Sequence, residues 1–451
     1  MITKILIANR GEIALRIIRA CREMNISTVA IYSKCDKDAL HVKLADEAIC
    51  VGDNKADESY LNVNNILQAA INTQAQAIHP GFGFLSENAN FVRACQQLNI
   101  KFIGPTAKII DKMGNKANAR QTMIEANVPV VPGSDGLIKT SEAAYELAKK
   151  IGTPVIIKAS AGGGGKGMRI AYHLDDVVEA YNNAKLEAKK VFNDDDMYLE
   201  KYVENPRHIE VQVIGDNYNN ICHLFERECS IQRNNQKMIE EAPVENLKKD
   251  TKEKLYNAAL AACKAINYVN AGTIEFIMDK DENFYFIEMN TRIQVEHPVS
   301  EMITGVDLIK EQIRIADNKE LSFKQDNLKI NGHAIEIRVN AENPKFNFAP
   351  SPGKINSLHF PGGNGIRIDS AIYQNYIIPP YYDSMIAKII VHGKNRDEAL
   401  EKGIHSLAEI DVEGVETNID FQLDILLSNE FQNNEYTTSF VERFLKGGAN
   451  V

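Results

Sequence analysis

Residues 283–296 read Asn-Phe-Tyr-Phe-Ile-Glu-Met-Asn-Thr-Arg-Ile-Gln-Val-Glu. The stretch opens as an apolar strand and then sets a polar group at every second position: Glu288, Asn290, Arg292, Gln294 and Glu296. Strand side chains alternate, so an extended segment puts all five on one face. Carboxylate, amide and guanidinium groups in one row build a poor core. They suit a site that holds a metal ion and a small anion side by side.

The segment before it sharpens that reading. Ala271 to Asp279 is also strand-like, and Lys280 to Asn283 is a polar turn. A hairpin centred on Asp281–Glu282 sets Glu275 opposite Glu288. Like charges directly opposed in a sheet repel, and an oxygen-rich pair beside an anionic substrate suits magnesium. Charged strand residues usually face solvent. Here the flanks Ile274, Phe276, Ile277, Phe284, Phe286 and Ile287 are too apolar for an exposed hairpin, which favours the metal.

The chain has 451 residues, 44% of them hydrophobic and 25% charged. That length suggests about three domains. A formal net charge of −10 argues against a nucleic-acid binder as a whole, yet leaves room for a locally basic phosphate pocket. The seven cysteines (Cys21, Cys35, Cys50, Cys95, Cys222, Cys229, Cys263) are odd in number and form no CxxC pair. They read as reduced cytoplasmic thiols, with Cys229 structural rather than nucleophilic. The sequence opens on the strand Lys4–Ala8, with no signal-peptide pattern and no apolar run of membrane length. A cytoplasmic protein without a membrane or nucleic-acid partner is expected.

Strands and helices alternate through the first third. Strands are expected at Ile5–Ala8, Thr28–Tyr32, Ala48–Val51, Ala77–His79 and Phe102–Gly104. Helices are expected at Arg10–Met24, Val63–Thr73 and Asn88–Leu98, the first from Ile13, Ile17, Cys21 and Met24 at helical spacing. The pattern is that of a doubly wound parallel α/β domain. A second unit opens at Val130-Val131-Pro132-Gly133, a hinge-like entrance. It holds a helix at Glu142–Lys150, strands at Val155–Ala159 and Met168–Ala171, a helix near Asp175–Val191 and a strand at Met197–Tyr202. A further division falls after about residue 330, where Ala334–Asn340 reads as a strand. The expected boundaries are 1–114, 115–330 with a lid at about 131–203, and 331–451. The expected class is multidomain α/β and α+β, ending in a mixed β/α domain.

Ala159 to Met168 contains Gly162, Gly163, Gly164, Gly165, Lys166 and Gly167. Glycines let backbone N–H groups approach phosphate oxygens. The loop joins two strands rather than a strand and a helix, and Gly167 stands where a P-loop needs Ser or Thr, so neither dinucleotide nor P-loop motif fits. A strand–loop–strand flap over phosphates remains, beside a plain glycine hairpin. Lys158 favours the flap, because a lysine in Val-Ile-Ile-Lys needs an anionic partner. Met197–Val203 reads equally as an adenine-pocket strand or an ordinary one. The charge-dense run from Glu226 to Pro243 is as compatible with a solvated surface as with a site.

Together these residues resemble the biotin carboxylase component of acetyl-CoA carboxylase, within the ATP-grasp enzymes. The resemblance covers essentially the whole chain. It includes Ile-Ala-Asn-Arg-Gly-Glu-Ile-Ala (7–14), His-Pro-Gly-Phe-Gly-Phe-Leu-Ser-Glu-Asn (79–88), the glycine flap, Glu-Lys-Tyr (200–202), Cys-Ser-Ile-Gln-Arg (229–233) and Gln-Lys (236–237). Its most specific part is Glu-Met-Asn-Thr-Arg-Ile-Gln-Val-Glu-His (288–297). Glu301–Gly305, Arg338–Glu342 and Tyr382–Met385 complete it.

The resemblance implies an N-terminal parallel-sheet domain, an ATP-grasp core with its lid, and a C-terminal domain. It implies ATP contacts from Lys116, Lys158, His208 and Gln232, with Gly162–Gly165 closing over the phosphates. Glu200, Lys201 and Val203 would bound the adenine pocket. Glu275 and Glu288, with Asn290 nearby, would hold Mg2+ or Mn2+. Lys237, Arg292, Gln294 and Val295 would cradle bicarbonate, Glu296 would be its general base, and Arg338 would stabilise the biotin enolate. The implied activity is the first half-reaction of acetyl-CoA carboxylase in fatty acid biosynthesis. No Ala-Met-Lys-Met biotinylation motif occurs in the sequence. The implied partners are therefore a separate biotin carboxyl carrier protein, carboxyltransferase subunits and a second copy of the chain.

Several positions depart from the family. Phe82 replaces a usual Tyr near the biotin pocket, Asn234-Asn235 a basic pair, Asn115 an Asp, Lys166 an Arg, and Asn364 an aromatic dimer contact. Arg19, Glu23 and Arg367 of the dimer face are kept. Rival readings are the carboxylase component of a pyruvate or other acyl-CoA carboxylase, another ATP-grasp ligase, and a silent ATP-binding scaffold.

Overall fold

A computed structural model describes residues 1–159, 167–192 and 194–447. The chain opens with β1 (Lys4–Ile7), α1 (Gly11–Glu23), β2 (Ser27–Ser33), β3 (Glu47–Gly52), β4 (Ala77–His79) and β5 (Lys101–Phe102). The five strands pair in parallel in the order β3-β2-β1-β4-β5. Ile5, Leu6 and Ile7 are wholly buried, as expected of a central parallel strand covered on both faces. The strand order reverses between β1 and β4, where such sheets open a crevice at their carboxyl ends. The segments Asn9–Ile13 and Phe82–Phe84, which follow these two strands, line the large cavity described below.

A small antiparallel unit follows. It comprises α2 (Ser141–Ile151), β6 (Val155–Ala159), β7 (Met168–Ala171), α3 (Val177–Phe192) and β8 (Met197–Lys201), with strand order β7-β6-β8. Ala144, Ala148, Val155, Ile157, Tyr181 and Leu199 form its separate core. β6 and β7 are antiparallel neighbours, so the glycine loop joins two strands as expected. The loop itself, residues 160–166 with Gly162, Gly163, Gly164, Gly165 and Lys166, lies outside the described residues.

The rest is built on one eight-stranded antiparallel sheet. Its elements are β9 (Arg207–Gly215), β10 (Ile221–Arg233), β11 (Gln236–Ala242), α4 (Lys249–Ala265), β12 (Asn270–Met278), β13 (Phe284–Asn290), α5 (His297–Thr304), β14 (His333–Asn340), β15 (Ile366–Ser370) and β16 (Met385–Gly393). The order is β13-β12-β9-β10-β11-β14-β16-β15. The sheet therefore runs straight across the division expected near residue 330, with Ile239 paired to Ile337 and Ala242 to Ala334.

Alternation decides what the sheet's two faces do. Ile209, Val211, Ile274 and Phe276 join Leu255, Ala259 and Cys263 of α4 in one buried cluster, the Ile, Val, Leu and Phe side chains contributing roughly 1.5–3 kcal/mol each. The intervening His208, Glu210, Gln212, Thr273 and Glu275 therefore face the other side. The run 226–243, for which sequence left two readings open, is divided: Glu226 to Gln232, Glu240 and Glu241 are buried, Arg233 and Lys237 are half-buried, and Asn234, Asn235 and Gln236 at the turn between β10 and β11 are exposed. All seven cysteines are free thiols. No described helix is long and apolar enough to cross a membrane.

Candidate active site

The hairpin between β12 and β13 pairs Glu275 with Glu288, as the turn-centring argument requires, but by a route the sequence did not show. Next to the turn the register is Met278 to Phe284 and Phe276 to Phe286. Continued unbroken, it would put Ile287 opposite Glu275. An irregularity at Ile287 shifts the register by one and brings Glu288 into place. Ile287 is left 40% exposed. A bulge re-aims a strand's side chains in this way.

The expected extended row from Glu288 to Glu296 needs correction. The strand ends at Asn290, residues 291–296 form an irregular bend, and Glu296 stands at the N-cap position of α5 without a side-chain capping bond. Convergence comes from that bend and not from strand alternation. Thr291 donates from its backbone N–H and its hydroxyl to Glu87 (3.0 and 3.1 Å), and Arg292 Nε donates to the other oxygen of Glu87 at 2.9 Å. Arg292 also donates to Asn290 Oδ1 at 2.7 Å. The buried ammonium of Lys388 donates to the Val295 carbonyl at 2.7 Å.

Cross-strand register places Arg227, Glu210, Glu275 and Glu288 in one line over four adjacent strands. Three aligned carboxylates repel one another, and two of the three are compensated. Lys237 Nζ lies 2.6 Å from Glu210, 3.2 Å from Glu275 and 2.5 Å from Glu296. Burial disfavours its charge, but these carboxylates outweigh burial and raise its pKa well above the ordinary lysine value. Glu275 also accepts from Asn290 Nδ2 at 2.7 Å and Gln294 Nε2 at 2.5 Å, and His208 Nε2 lies 2.8 Å away. Against burial, Lys237 and His208 hold its carboxyl far below the ordinary range.

Glu288 is different. It is exposed, and its carboxyl is pushed upward by desolvation and then by Glu275. A saturated carboxylate facing one whose charge is raised in cost by its neighbour fits a divalent cation, with Asn290 beside them. Magnesium bound there would neutralise phosphate charge.

Glu296 is 2% exposed and sits between Lys237 and Arg338, whose guanidinium lies 3.0 Å from its other oxygen. Burial opposes its ionisation, yet Lys237 and Arg338 keep its pKa well below the usual range. Arg338 Nε in turn donates to Glu240 at 2.7 Å. Burial, against the pull of Arg338, pushes Glu240 up to about 7. His208 Nδ1 lies 2.7 Å from Gln232 Nε2. With the amide as donor there, the imidazole carries its proton on Nε2, toward Glu275.

One cavity of about 750 Å³ gathers His208, Lys237, Glu275, Glu288, Asn290, Arg292, Gln294, Val295, Glu296 and Arg338. Asn9, Arg10, Phe82 and Phe84 from the parallel sheet and Tyr382 from the C-terminal part complete its wall. The other expected residues that the structure describes lie outside that lining. Gln232 stands behind His208. Lys116 is exposed at the start of the helix Lys116–Glu125. Lys158 and Glu200 form an ion pair of 2.6 Å on the small sheet. Lys201 turns its ammonium to the carbonyls of Gly152 and Thr153 (3.1 and 2.8 Å), and Val203 follows β8 half-buried. Sequence reasoning missed Glu210, Glu240 and the role of Arg227. The alternation His208-Ile209-Glu210-Val211-Gln212-Val213 was the available signal for the first.

Comparison with known proteins agrees along the whole length. The family described as "Biotin carboxylase, N-terminal domain" matches residues 1–110. "Carbamoyl-phosphate synthase L chain, ATP binding domain" matches 115–324, and "Biotin carboxylase C-terminal domain" matches 336–443. Biotin carboxylase 1 of Bacillus subtilis is 55% identical, with 98% of this chain and 99% of that protein covered. One of the pyruvate carboxylase subunits of Methanothermobacter thermautotrophicus is 50% identical, with 99% and 91% covered. A solved biotin carboxylase domain dimer of the 2-oxoglutarate carboxylase of Hydrogenobacter thermophilus, in complex with MgADP, ADP and bicarbonate, superposes with a TM-score of 0.91. It shares 50% identity, with 99% of this chain and 98% of that one covered. An N-terminal parallel sheet, a central ATP-grasp region and a C-terminal domain in this order, at such identity, make this chain a member of the biotin carboxylases, the ATP-grasp carbon–nitrogen ligases that carboxylate biotin with ATP.

Proposed function

We propose that the chain carboxylates biotin carried on a separate biotin carboxyl carrier protein, as the first half-reaction of acetyl-CoA carboxylase in fatty acid synthesis. The observation that carries the chemistry is Glu296 clasped between Lys237 and Arg338, with Lys237 also reaching Glu275, the partner of Glu288. Phosphoryl transfer is mostly positioning and charge neutralisation, and this floor supplies both. Lys116, Lys158, His208 and Gln232 contact ATP. Glu200, Lys201 and Val203 bound its adenine, and the glycine loop, Gly162 to Gly165, covers its phosphates. Glu275, Glu288 and Asn290 are the group that would hold Mg2+ or Mn2+.

Bicarbonate enters among Lys237, Arg292, Gln294 and Val295. It competes with Glu296 for Lys237, and the loosening of that pair raises the basicity of Glu296, which takes the bicarbonate proton. The freed oxygen attacks the γ-phosphorus, giving carboxyphosphate and ADP. Carboxyphosphate breaks into CO2 and phosphate. The phosphate takes the N1′ proton of biotin, and Arg338 stabilises the enolate that attacks CO2. The lid read at about 131–203, once closed over the cavity, would keep water from the labile intermediate.

The working units are read as 1–114, 115–330 with a lid at about 131–203, and 331–451, in a cytoplasmic homodimer that serves carboxyltransferase subunits. The dimer in the Hydrogenobacter structure and the free thiols support this reading. A second reading, the biotin-carboxylating component of a pyruvate carboxylase, is favoured by the Methanothermobacter relative. The test is ADP release with ATP, magnesium and bicarbonate, with and without free biotin. Bicarbonate-dependent stimulation by biotin is expected, and in Glu296→Ala a loss of about 100-fold or more with ATP still bound. Cleavage indifferent to biotin, or full turnover by Glu296→Ala, overturns the mechanism. Carboxyl transfer with purified acetyl-CoA or pyruvate transferase subunits then separates the two acceptors.

A further inference from the structure

Among the described residues, Arg227 is the bulkiest side chain wholly removed from solvent. A guanidinium has five N–H donors and no acceptor, and here each donor is used. Nε donates to Glu210 at 2.5 Å, one terminal nitrogen to Gln212 at 2.6 Å and Ser300 at 3.0 Å, and the other to Thr273 at 3.1 Å and Gln294 at 2.8 Å. These partners come from β9, β12, α5 and the 291–296 bend. Arg227 thus lies on the polar face of the sheet, beneath the bend, and outside the cavity lining.

Two consequences follow for groups that do line the cavity. A side-chain amide can sit either way round, but a donor-only partner is satisfied only by its oxygen. Arg227 takes Gln294 Oε1, which leaves Gln294 Nε2 pointing at Glu275. Glu210 is likewise divided: one oxygen serves Arg227 and the other serves Lys237 at 2.6 Å.

We propose that Arg227 is a positioning residue for the anion site: it locks the Gln294 amide with its N–H end toward the cavity and anchors Glu210 under Lys237, without touching substrate. The inference rests on the reading of Gln294 and Lys237 as bicarbonate ligands. Arg227→Lys keeps a cation beside Glu210 but loses the planar fork that spans Gln294, Gln212, Thr273 and Ser300.

The experiment measures KM for bicarbonate and for ATP in wild type, R227K, Q294A and R227K/Q294A, with folding checked by thermal transition. In R227K the bicarbonate KM is expected to rise about tenfold while the ATP KM stays within about twofold. In the Q294A background R227K is expected to add nothing, because residues acting as one unit are not additive. Multiplicative effects, or an ATP KM that rises in step, make Arg227 a purely structural ion and overturn the proposal. A bicarbonate KM unmoved in R227K but raised in Q294A removes the positioning role and leaves the site reading intact. A KM unmoved in Q294A removes both. Should R227K fail to fold, Thr273→Val/Ser300→Ala deletes two neutral acceptors and keeps the ion pair. A smaller rise in bicarbonate KM alone then supports the proposal, and an unchanged KM overturns it.

Discussion

Lys158 and Lys237 both pair with carboxylates, in opposite surroundings. On the small sheet, Lys158 and Glu200 form a single pair whose side chains are 39% and 23% exposed. On the large sheet, Lys237 is 12% exposed and meets three carboxylates that are nearly or wholly buried. Water screens the first pair, and such pairs contribute about 0–1 kcal/mol. In the second, each partner is needed to keep the others from being buried unpaired. The floor of the site is therefore assembled by folding itself. The pair on the small sheet is cheap to open, as the proposed phosphate contact of Lys158 requires.

The sharpest way to break this contrast is Lys237→Met. It leaves Glu210, Glu275 and Glu296 without their shared cation. A destabilisation of about 3–5 kcal/mol is expected in denaturant unfolding, together with loss of bicarbonate-dependent turnover. A near-wild-type midpoint would show that the floor is not held by this ion.

Acid should act on the large sheet's surroundings in the same sense. Glu301 of α5 pairs with Arg16 at 3.0 Å and Arg367 at 2.7 Å. Burial opposes its ionisation, but Arg16, with His297 and Arg367, lowers its pKa from the ordinary 4.5 to about 2. A lowered carboxylate pKa stabilises the fold above the unfolded-state value and ceases to do so as pH falls through the folded one. Relative to Glu301→Gln, wild type should therefore lose roughly 3 kcal/mol of its pH-dependent stability between about pH 4.5 and pH 2. Parallel acid-unfolding curves for the two proteins would contradict this.

Glu288 gives a smaller effect. Its charge is opposed by Glu275, so Glu288→Gln should raise the unfolding free energy without divalent cation by up to about 1 kcal/mol. The same variant should lose the stabilisation that millimolar magnesium gives wild type. An unchanged magnesium response would remove Glu288 from the cation site. Smallest of all, Lys158→Met should change stability by less than about 1 kcal/mol while raising the ATP KM. A larger loss would place the small sheet's pair in the same class as the floor.

What the sequence determined by itself was local. Turn composition and alternation identified the β12–β13 hairpin and its opposed glutamates. Helical spacing and short apolar runs placed the parallel sheet within a residue or two, and the glycine loop's neighbours were readable as strands. These features depend on residues close in the chain, where φ/ψ preference and side-chain period act directly. Tertiary structure decided which faces meet. The bulge at Ile287 sets Glu288 opposite Glu275, and the bend after Asn290 carries Glu296 to Lys237, whereas alternation places all five polar side chains on one face of a single strand. Glu226 to Gln232 are buried because β9, β11 and α5 cover β10, and Glu240 and Glu241 because β11 lies between β10 and β14, which their charged composition concealed. Glu210, Arg227 and Glu240 gain their roles only from cross-strand neighbours distant in sequence. The sheet continues past residue 330 for the same reason: pairing of β11 with β14 is a long-range choice, set by which apolar faces can be buried together.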